Sequence, residues 1–232
     1  MKMRMDVTMR KSQVPFARPD SSGQVYAIVP AHGGSNADKV ARQLSHELSE
    51  SDGLSVLLAD FCTHGFPLWD RPQAPQRLDG RTWGAFLRSS DDVFDTLEAR
   101  EAHPRNIRRL LDHARGRYQV TCADLSEAKE SSALEVLRHA DSIFLVTTSD
   151  SSSVELARYR AAWLRSMDLE ERSAVLLHRV SGGISGAEAE DRTGLPVCAA
   201  VDNHEELSRL SGWLAAPHAP RRAEVIPIRR VG

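Results

Sequence analysis

Six short apolar runs, most of them separated by enough chain for a helix, constrain this sequence more than any other feature. They are Val25-Tyr-Ala-Ile-Val-Pro30, Ser55-Val-Leu-Leu-Ala59, Gln119-Val-Thr-Cys-Ala123, Ser142-Ile-Phe-Leu-Val-Thr147, Ala174-Val-Leu-Leu177 and Pro196-Val-Cys-Ala-Ala200. Runs of this length without polar alternation predict strands buried on both faces. Between them lie amphipathic stripes. Val40, Leu44 and Leu48 share one helical face closed by Gly53, and Ile107, Leu110, Leu111 and Ala114 form a second closed by Gly116. Val154, Ala157, Ala161 and Leu164 follow a cap in Ser151 to Ser153. Leu207, Leu210 and Leu214 follow Asp202 and Glu205, spaced as a capping box. Short buried strands alternating with helices predict an α/β fold, a doubly wound, mostly parallel sheet of about six or seven strands.

Two stretches leave this rhythm. Residues 66–80 hold Pro67, Pro72 and Pro75 and read as a loop, and residues 83–100 after it read as an added helical segment. The first 22 residues carry Lys2, Arg4, Arg10, Lys11 and Arg18 without a sustained period. The chain is thus expected to divide into a basic N-terminal tail (1–22), an α/β domain (23–214) with a loop and helical insertion at 66–103, and a Pro/Arg-rich C-terminal tail (215–232).

Composition narrows the function classes. Thirty Lys+Arg against 32 Asp+Glu give a net charge of −2 over 232 residues, which disfavours nucleic acid as the main ligand. No window reaches the roughly 18 apolar residues of a membrane span, and the prolines of the basic C-terminus oppose an amphipathic membrane helix, so stable membrane insertion is not expected. Cys62, Cys122 and Cys198 are odd in number and far apart; they read as reduced thiols of a cytoplasmic protein.

Ligands of open parallel sheets bind beyond the carboxyl ends of the strands. Those positions hold His32, Gly33, Gly34, Ser35 and Asn36 after the first strand, Asp60, Cys62 and His64 after the second, Asp124 and Ser126 after the third, and His178 and Arg179 after the fifth. Strand, glycine turn and helix opening make a phosphate-binding architecture, because unpaired N–H groups and the helix dipole face the ligand. Neither Gly-x4-Gly-Lys-Ser/Thr nor Gly-x-Gly-x-x-Gly occurs in the chain.

The segment Tyr26 to Ser49, YAIVPAHGGSNADKVARQLSHELS, resembles the opening of MinD/ParA-type P-loop ATPases, where strand, Lys-Gly-Gly-x-Gly-Lys-Thr-Thr and helix run in the same register. Val56-Leu-Leu-Ala-Asp60 resembles the second strand of that family and Tyr118-Gln-Val-Thr-Cys-Ala-Asp124 the strand ending in the switch II aspartate. Ala140 to Thr148, Val175-Leu-Leu-His-Arg-Val180 and Gly194-Leu-Pro-Val-Cys-Ala-Ala-Val-Asp-Asn203 extend the likeness over residues 25–213. The nearest branch by resemblance is the CpaE-like one, associated with pilus assembly. The resemblance implies ATP and Mg2+ as cofactors, a sandwich dimer or an active ATPase paralogue as partner, residual catalytic roles for Asp60 and Asp124, and a cofactor site from His32, Gly33, Gly34, Ser35, Asn36, Ala37, Asp38, Lys39 and His178.

Residue losses cut against catalysis. In register, the two loop lysines of the family fall on His32 and Ala37, its third loop glycine on Asn36, its Mg2+-binding threonine on Asp38, its switch I carboxylate on Cys62 and its base-contacting asparagine on His178. Ala37 and Asp38 remove a cation and a metal ligand from the phosphates. Asp38 adds an anion. At an effective dielectric near 20, like charges about 4 Å apart repel by about 4 kcal/mol, more than the tenths to about 1 kcal/mol that a helix dipole returns. Asn36 is expected to cap the helix and Asp38 to suit its first turn, so that the loop stands without phosphate. Lys39 lies two residues past the usual lysine and faces elsewhere by about 200°.

The leading expectation is therefore a MinD/ParA/CpaE-like homologue impaired in hydrolysis that acts as a positioning or regulatory partner in pilus, secretion or polarity machinery. One alternative is an ATP-dependent dimerisation switch with non-standard phosphate ligands, in which His32 at the cross-reaching position makes dimerisation depend on pH. Another is a metal-dependent enzyme using His32, His64 and His178 with Asp60, Cys62 and Asp124. An esterase with His-Gly-Gly as its oxyanion loop lacks the Gly-x-Ser-x-Gly elbow.

Overall fold

The computed structural model describes residues 23–50, 52–62, 87–89, 93–99 and 102–215. The expected N-terminal tail, the loop at 66–80, His64, and residues 216–232 of the C-terminal tail lie outside the described residues.

Strand β1 (Gln24–Pro30) runs through the middle of an eight-stranded sheet, and its residues Val25 to Ile28 are all at most 2% exposed. The other strands are β2 (Val56–Asp60), β3 (Leu87–Ser89), β4 (Asp95–Glu98), β5 (Val120–Asp124), β6 (Ser142–Thr148), β7 (Ser173–His178) and β8 (Val197–Ala200). Their order is β3-β4-β2-β5-β1-β6-β7-β8, parallel throughout except for β3 against β4. The helices are α1 (Ala37–Glu50), α2 (Pro104–Arg115), α3 (Glu130–His139), α4 (Ser151–Ser166), α5 (Gly186–Thr193) and α6 (His204–Ala215).

The period of two along each strand divides the core into two layers. Val25, Ala27, Leu57, Ala59, Ile143 and Leu145 face α2, α3 and α4, meeting Ile107, Leu111, Val136, Ala157 and Leu164. Tyr26, Ile28, Leu58, Cys122, Phe144 and Val146 face α1 and α6, meeting Val40, Leu44, Leu48, Leu207 and Leu210. Because both faces are apolar, the strands read as continuous hydrophobic runs, as the sequence predicts. Tyr26 and Phe144 meet edge-to-face with ring centroids 5.9 Å apart. The Tyr26 hydroxyl donates to the Leu214 carbonyl at 3.3 Å, which ties α6 to the central strand.

The expected helical segment at 83–100 is corrected for its described residues: 87–89 and 95–98 are strands. Phe94 packs into one core layer, whereas Leu97 and Ala99 pack into the other. That alternation fits the pleat, and β4 completes the hydrogen bonding of the β2 edge from Leu57 to Asp60. Two caps move by one residue. Asp150, not the serines after it, accepts from the Ser153 N–H at 2.9 Å to open α4. Asn203 accepts from the Glu205 N–H at 3.0 Å to open α6.

At the amino edge of the sheet, Arg115 pairs with Asp141 at 2.6 Å and donates to the carbonyls of Gly23 and His139. Asp141 also accepts from the Val25 N–H at 2.7 Å, so α2, β1 and the start of β6 share one latch. The opposite edge, where the parallel strands end, carries the acidic and histidine side chains considered next.

Candidate functional site

The turn from β1 into α1 holds two residues with positive φ. Gly34 has φ +90° and Asn36 has φ +56°. Asn36 thus holds a left-handed conformation at the place where the resembled motif has glycine, and asparagine is among the few side chains that adopt it readily. This corrects the expectation that Asn36 caps α1: an N-cap residue is extended. No hydrogen bond joins the Asn36 side chain to another described residue, although its carbonyl accepts from the Val40 N–H at 3.1 Å. The turn requires glycine at Gly34 through its φ, but not at Gly33, whose φ is ordinary. A Cβ built on either glycine meets nothing within 4 Å, so the loop opens onto free space.

The ends of β2 and β5 supply the acidic wall. Parallel pairing sets Asp60 beside Asp124. Each carboxylate anchors its own turn: Asp60 Oδ1 accepts from the Cys62 N–H at 2.8 Å, and Asp124 Oδ1 accepts from the Ser126 N–H at 2.9 Å and the Ser126 hydroxyl at 2.5 Å. A bridge between Cys62 and Ala128 closes the two turns against each other. One ligand atom from each of Asp60, Cys62 and Asp124 lies within 4.8 Å of the others. Burial pushes the Cys62 thiol well above its usual range, and the nearby Asp124 and Asp60 carboxylates add to the rise. Burial also raises Asp124, with Asp60 adding repulsion and the Ser126 hydrogen bonds opposing both.

A cavity of about 890 Å³ separates the glycine loop from this wall. The run 32–39, Asp60 and Asp124 border it, so the cofactor and catalytic candidates meet in one place, apart from His178. His178 ends β7, half-buried, with Nε2 unpartnered among the described residues. Burial lowers its pKa and the Lys39 ammonium adds to that fall, with Asp202 opposing. Lys39 is exposed and borders the cavity. His32 turns back on its own loop, where Nδ1 donates to the Gly33 carbonyl at 2.7 Å in the tautomer that this contact favours. Its Nε2 and the hydroxyl of Ser35, a residue 1% exposed, are buried without hydrogen-bond partners among the described residues. Among the described residues, the metal-ligand grouping comprises Asp60, Cys62 and Asp124 and includes neither His32 nor His178; His64 lies outside the described residues.

Arg42 and His46 also border the cavity and were missed in the sequence. The signal was available, since Asp38, Arg42 and His46 repeat every four residues beside the buried stripe of Val40, Leu44 and Leu48.

Mg-ATP is the group implied by the resemblance, and the residues fit it poorly. The open space at Gly33 and Gly34 suits close approach of a phosphate. Yet Ala37, 2% exposed and packed into the core, offers no cation, and Asp38 puts a carboxylate where a hydroxyl would hold the metal. Cys62 brings sulfur to a wall that Mg2+ would require to be oxygen. No catalytic step follows from such a set.

No protein-family model and no curated protein sequence matches the chain. Solved structures do. A ParA family ATPase from Chlorobium tepidum TLS superposes with TM-score 0.64 at 22% identity, covering 87% of this chain and 95% of that one. A chain of the MinC:MinD cell division protein complex of Aquifex aeolicus gives 0.66 at 15% identity, covering 90% and 100%. The septum site-determining protein MinD of Pyrococcus horikoshii OT3, complexed with Mg-ADP, gives 0.59 at 16% identity, covering 85% and 90%. With its parallel sheet, its covering helices and a glycine loop at the end of the central strand, the chain has the α/β fold of ParA and MinD ATPases.

Proposed function

We propose that this protein is a MinD/ParA-type homologue that has lost ATP hydrolysis and works as a positioning or regulatory binding partner, either of a second copy or of an active ATPase paralogue. One observation carries the reading: the loop retains its left-handed turns at Gly34 and Asn36, while Ala37 and Asp38 occupy the positions of the resembled lysine and threonine. A backbone kept without its charge and its metal ligand suits a surface that is recognised better than a site that turns over. The fold supports the family type, and the neighbour from Aquifex aeolicus is itself found in complex with a partner, MinC. Among described residues no helix is long and apolar enough to cross a membrane. The CpaE-like likeness extends the proposal to pilus or secretion machinery.

Steady-state phosphate release from Mg-ATP by the full chain tests the loss of hydrolysis. The wild type is expected to match the protein-free blank. Turnover by wild type that falls when Asp124→Asn is introduced would overturn the reading. Such turnover would favour instead a working switch that draws on Lys39 and Arg42, the cations bordering the cavity.

A further inference from the structure

We propose that the outer face of α4 docks an amphipathic helix of a partner protein, one whose apolar stripe is flanked by carboxylates. This names a surface for the binding role proposed above and rests on that role. Leu156 and Tyr159 are 48% and 60% exposed, two of the four large hydrophobic residues left open among the described ones. Trp163 and Met167, partly buried against the core, continue the line along α4 to its C-cap at intervals of four residues. The helix thus carries a second apolar stripe, about 120° around from the buried one of Val154, Ala157, Ala161 and Leu164. Neighbouring helices pack elsewhere. On the other side of α4, Arg192 of α5 donates to the Ser151 hydroxyl and Arg165 donates to the Thr193 carbonyl, while α3 packs on α2.

Charge says what the occupant carries. Arg158 pairs with Glu155 and Arg165 with Glu170, but Arg160 stacks on the Trp163 ring at 4.9 Å with no ion pair to any described residue. Helix α4 holds three arginines against one acidic residue, and α2, over the same face of the sheet, holds four against one, on a chain whose net charge is −2. These two helices therefore attract an acidic partner. A carboxylate set beside Arg160 would pair with it and leave its stacking on Trp163 intact, and exclusion of water strengthens both contacts. Trp, Tyr and Arg are the side chains that carry most of the energy of such interfaces. Apolar anchors spaced by three and four residues suit a helix laid along the stripe. A second copy fits less well, because a two-fold across the stripe sets Arg160, near its midpoint, against its own counterpart. Nucleic acid is disfavoured by the net charge and leaves Leu156 and Met167 without an apolar match.

The test uses the full chain, without nucleotide, and the fluorescence anisotropy of two labelled synthetic helices. Both carry leucines at the matching spacing; one is flanked by glutamates and the other by lysines. Wild type is expected to bind the glutamate helix in the micromolar range and the lysine helix at least about 10-fold more weakly. Tyr159→Ser should weaken the glutamate helix by about 10-fold or more, as loss of an anchor does, and the exposure of Tyr159 leaves the core untouched. Arg160→Glu should reverse the preference towards the lysine helix, a change that loss of fold would not produce. Equal binding of the two helices by wild type, no binding at about 100 μM chain, or an affinity unchanged in Tyr159→Ser overturns the proposal. So does a wild-type dimer that Tyr159→Ser dissociates, which would assign the face to a second copy. None of the four stripe residues borders the cavity and no ATP is present, so either result leaves the reading of lost hydrolysis to the phosphate-release assay.

Discussion

Asn36 is where the residue scale speaks most directly. At φ +56° it occupies backbone that costs an ordinary L-residue about 1–2 kcal/mol. Asn36→Ala should therefore lower unfolding free energy by about 1 kcal/mol in urea denaturation, while Asn36→Gly should be near neutral. Equal losses for both would mean that the side chain, not the turn, matters. Asp124 gives a prediction of the opposite sign. Its folded-state pKa is raised by burial, so its favourable contribution is complete below the unfolded carboxylate range and is lost as pH rises through the folded value. At neutral pH the ionised carboxylate is then a cost. Asp124→Asn should raise Tm at pH 7, by about 2–4 °C for each kcal/mol relieved, and the gain should shrink towards acid pH. A lower Tm at neutral pH would contradict it. A residue that weakens the fold is what a functional position looks like.

Elements were legible in the sequence wherever one layer of burial decided them. The strands β1, β2, β5, β6, β7 and β8 appear as apolar runs because helices cover both of their faces. The stripes of α1, α2, α4 and α6 were visible because each helix buries one face and leaves the other to solvent. By contrast, β3 and β4 were read as helix, since only the neighbouring β2 gives Phe94, Leu97 and Ala99 their alternating burial. Helix α3 went unread because its buried positions, Ser132, Val136 and Leu137, include a serine and leave no apolar stripe. Short α5 went unread too, although Ser185 and Glu188 carry a capping-box spacing and the Ser185 hydroxyl accepts from the Glu188 N–H at 3.2 Å. Ser185→Ala should cost about 1 kcal/mol. No change in thermal or urea unfolding would show α5 to be held by packing alone. The candidate site was legible to the extent that strand ends fix it: Asp60 and Asp124 meet as their runs predict. The turning of His32 onto Gly33, and the separation of His178 from the cavity, depend on side-chain rotation and on sheet order, which spacing does not encode.

At the scale of the whole molecule, the two edges of the sheet have different duties. The amino edge is latched by Arg115 and Asp141, both about one-fifth exposed. Arg115→Ala leaves the Asp141 carboxylate and two carbonyls without their donor, a loss of about 2–3 kcal/mol detectable by urea denaturation without change at the carboxyl edge. The carboxyl edge holds the glycine loop, the acidic wall and the cavity between them, on the fold shared with ParA and MinD ATPases. The proposal under test is that a loop with left-handed turns at Gly34 and Asn36, but with Ala37 and Asp38 at the next two positions, does not hold Mg-ATP. Calorimetric titration of the full wild-type chain with Mg-ATP, beside the doubly substituted Ala37→Lys, Asp38→Thr chain, addresses it most directly. The account predicts no binding heat from wild type at concentrations where the restored loop binds. Wild-type binding with a Kd of about 1 μM, worth about 8 kcal/mol, would contradict it.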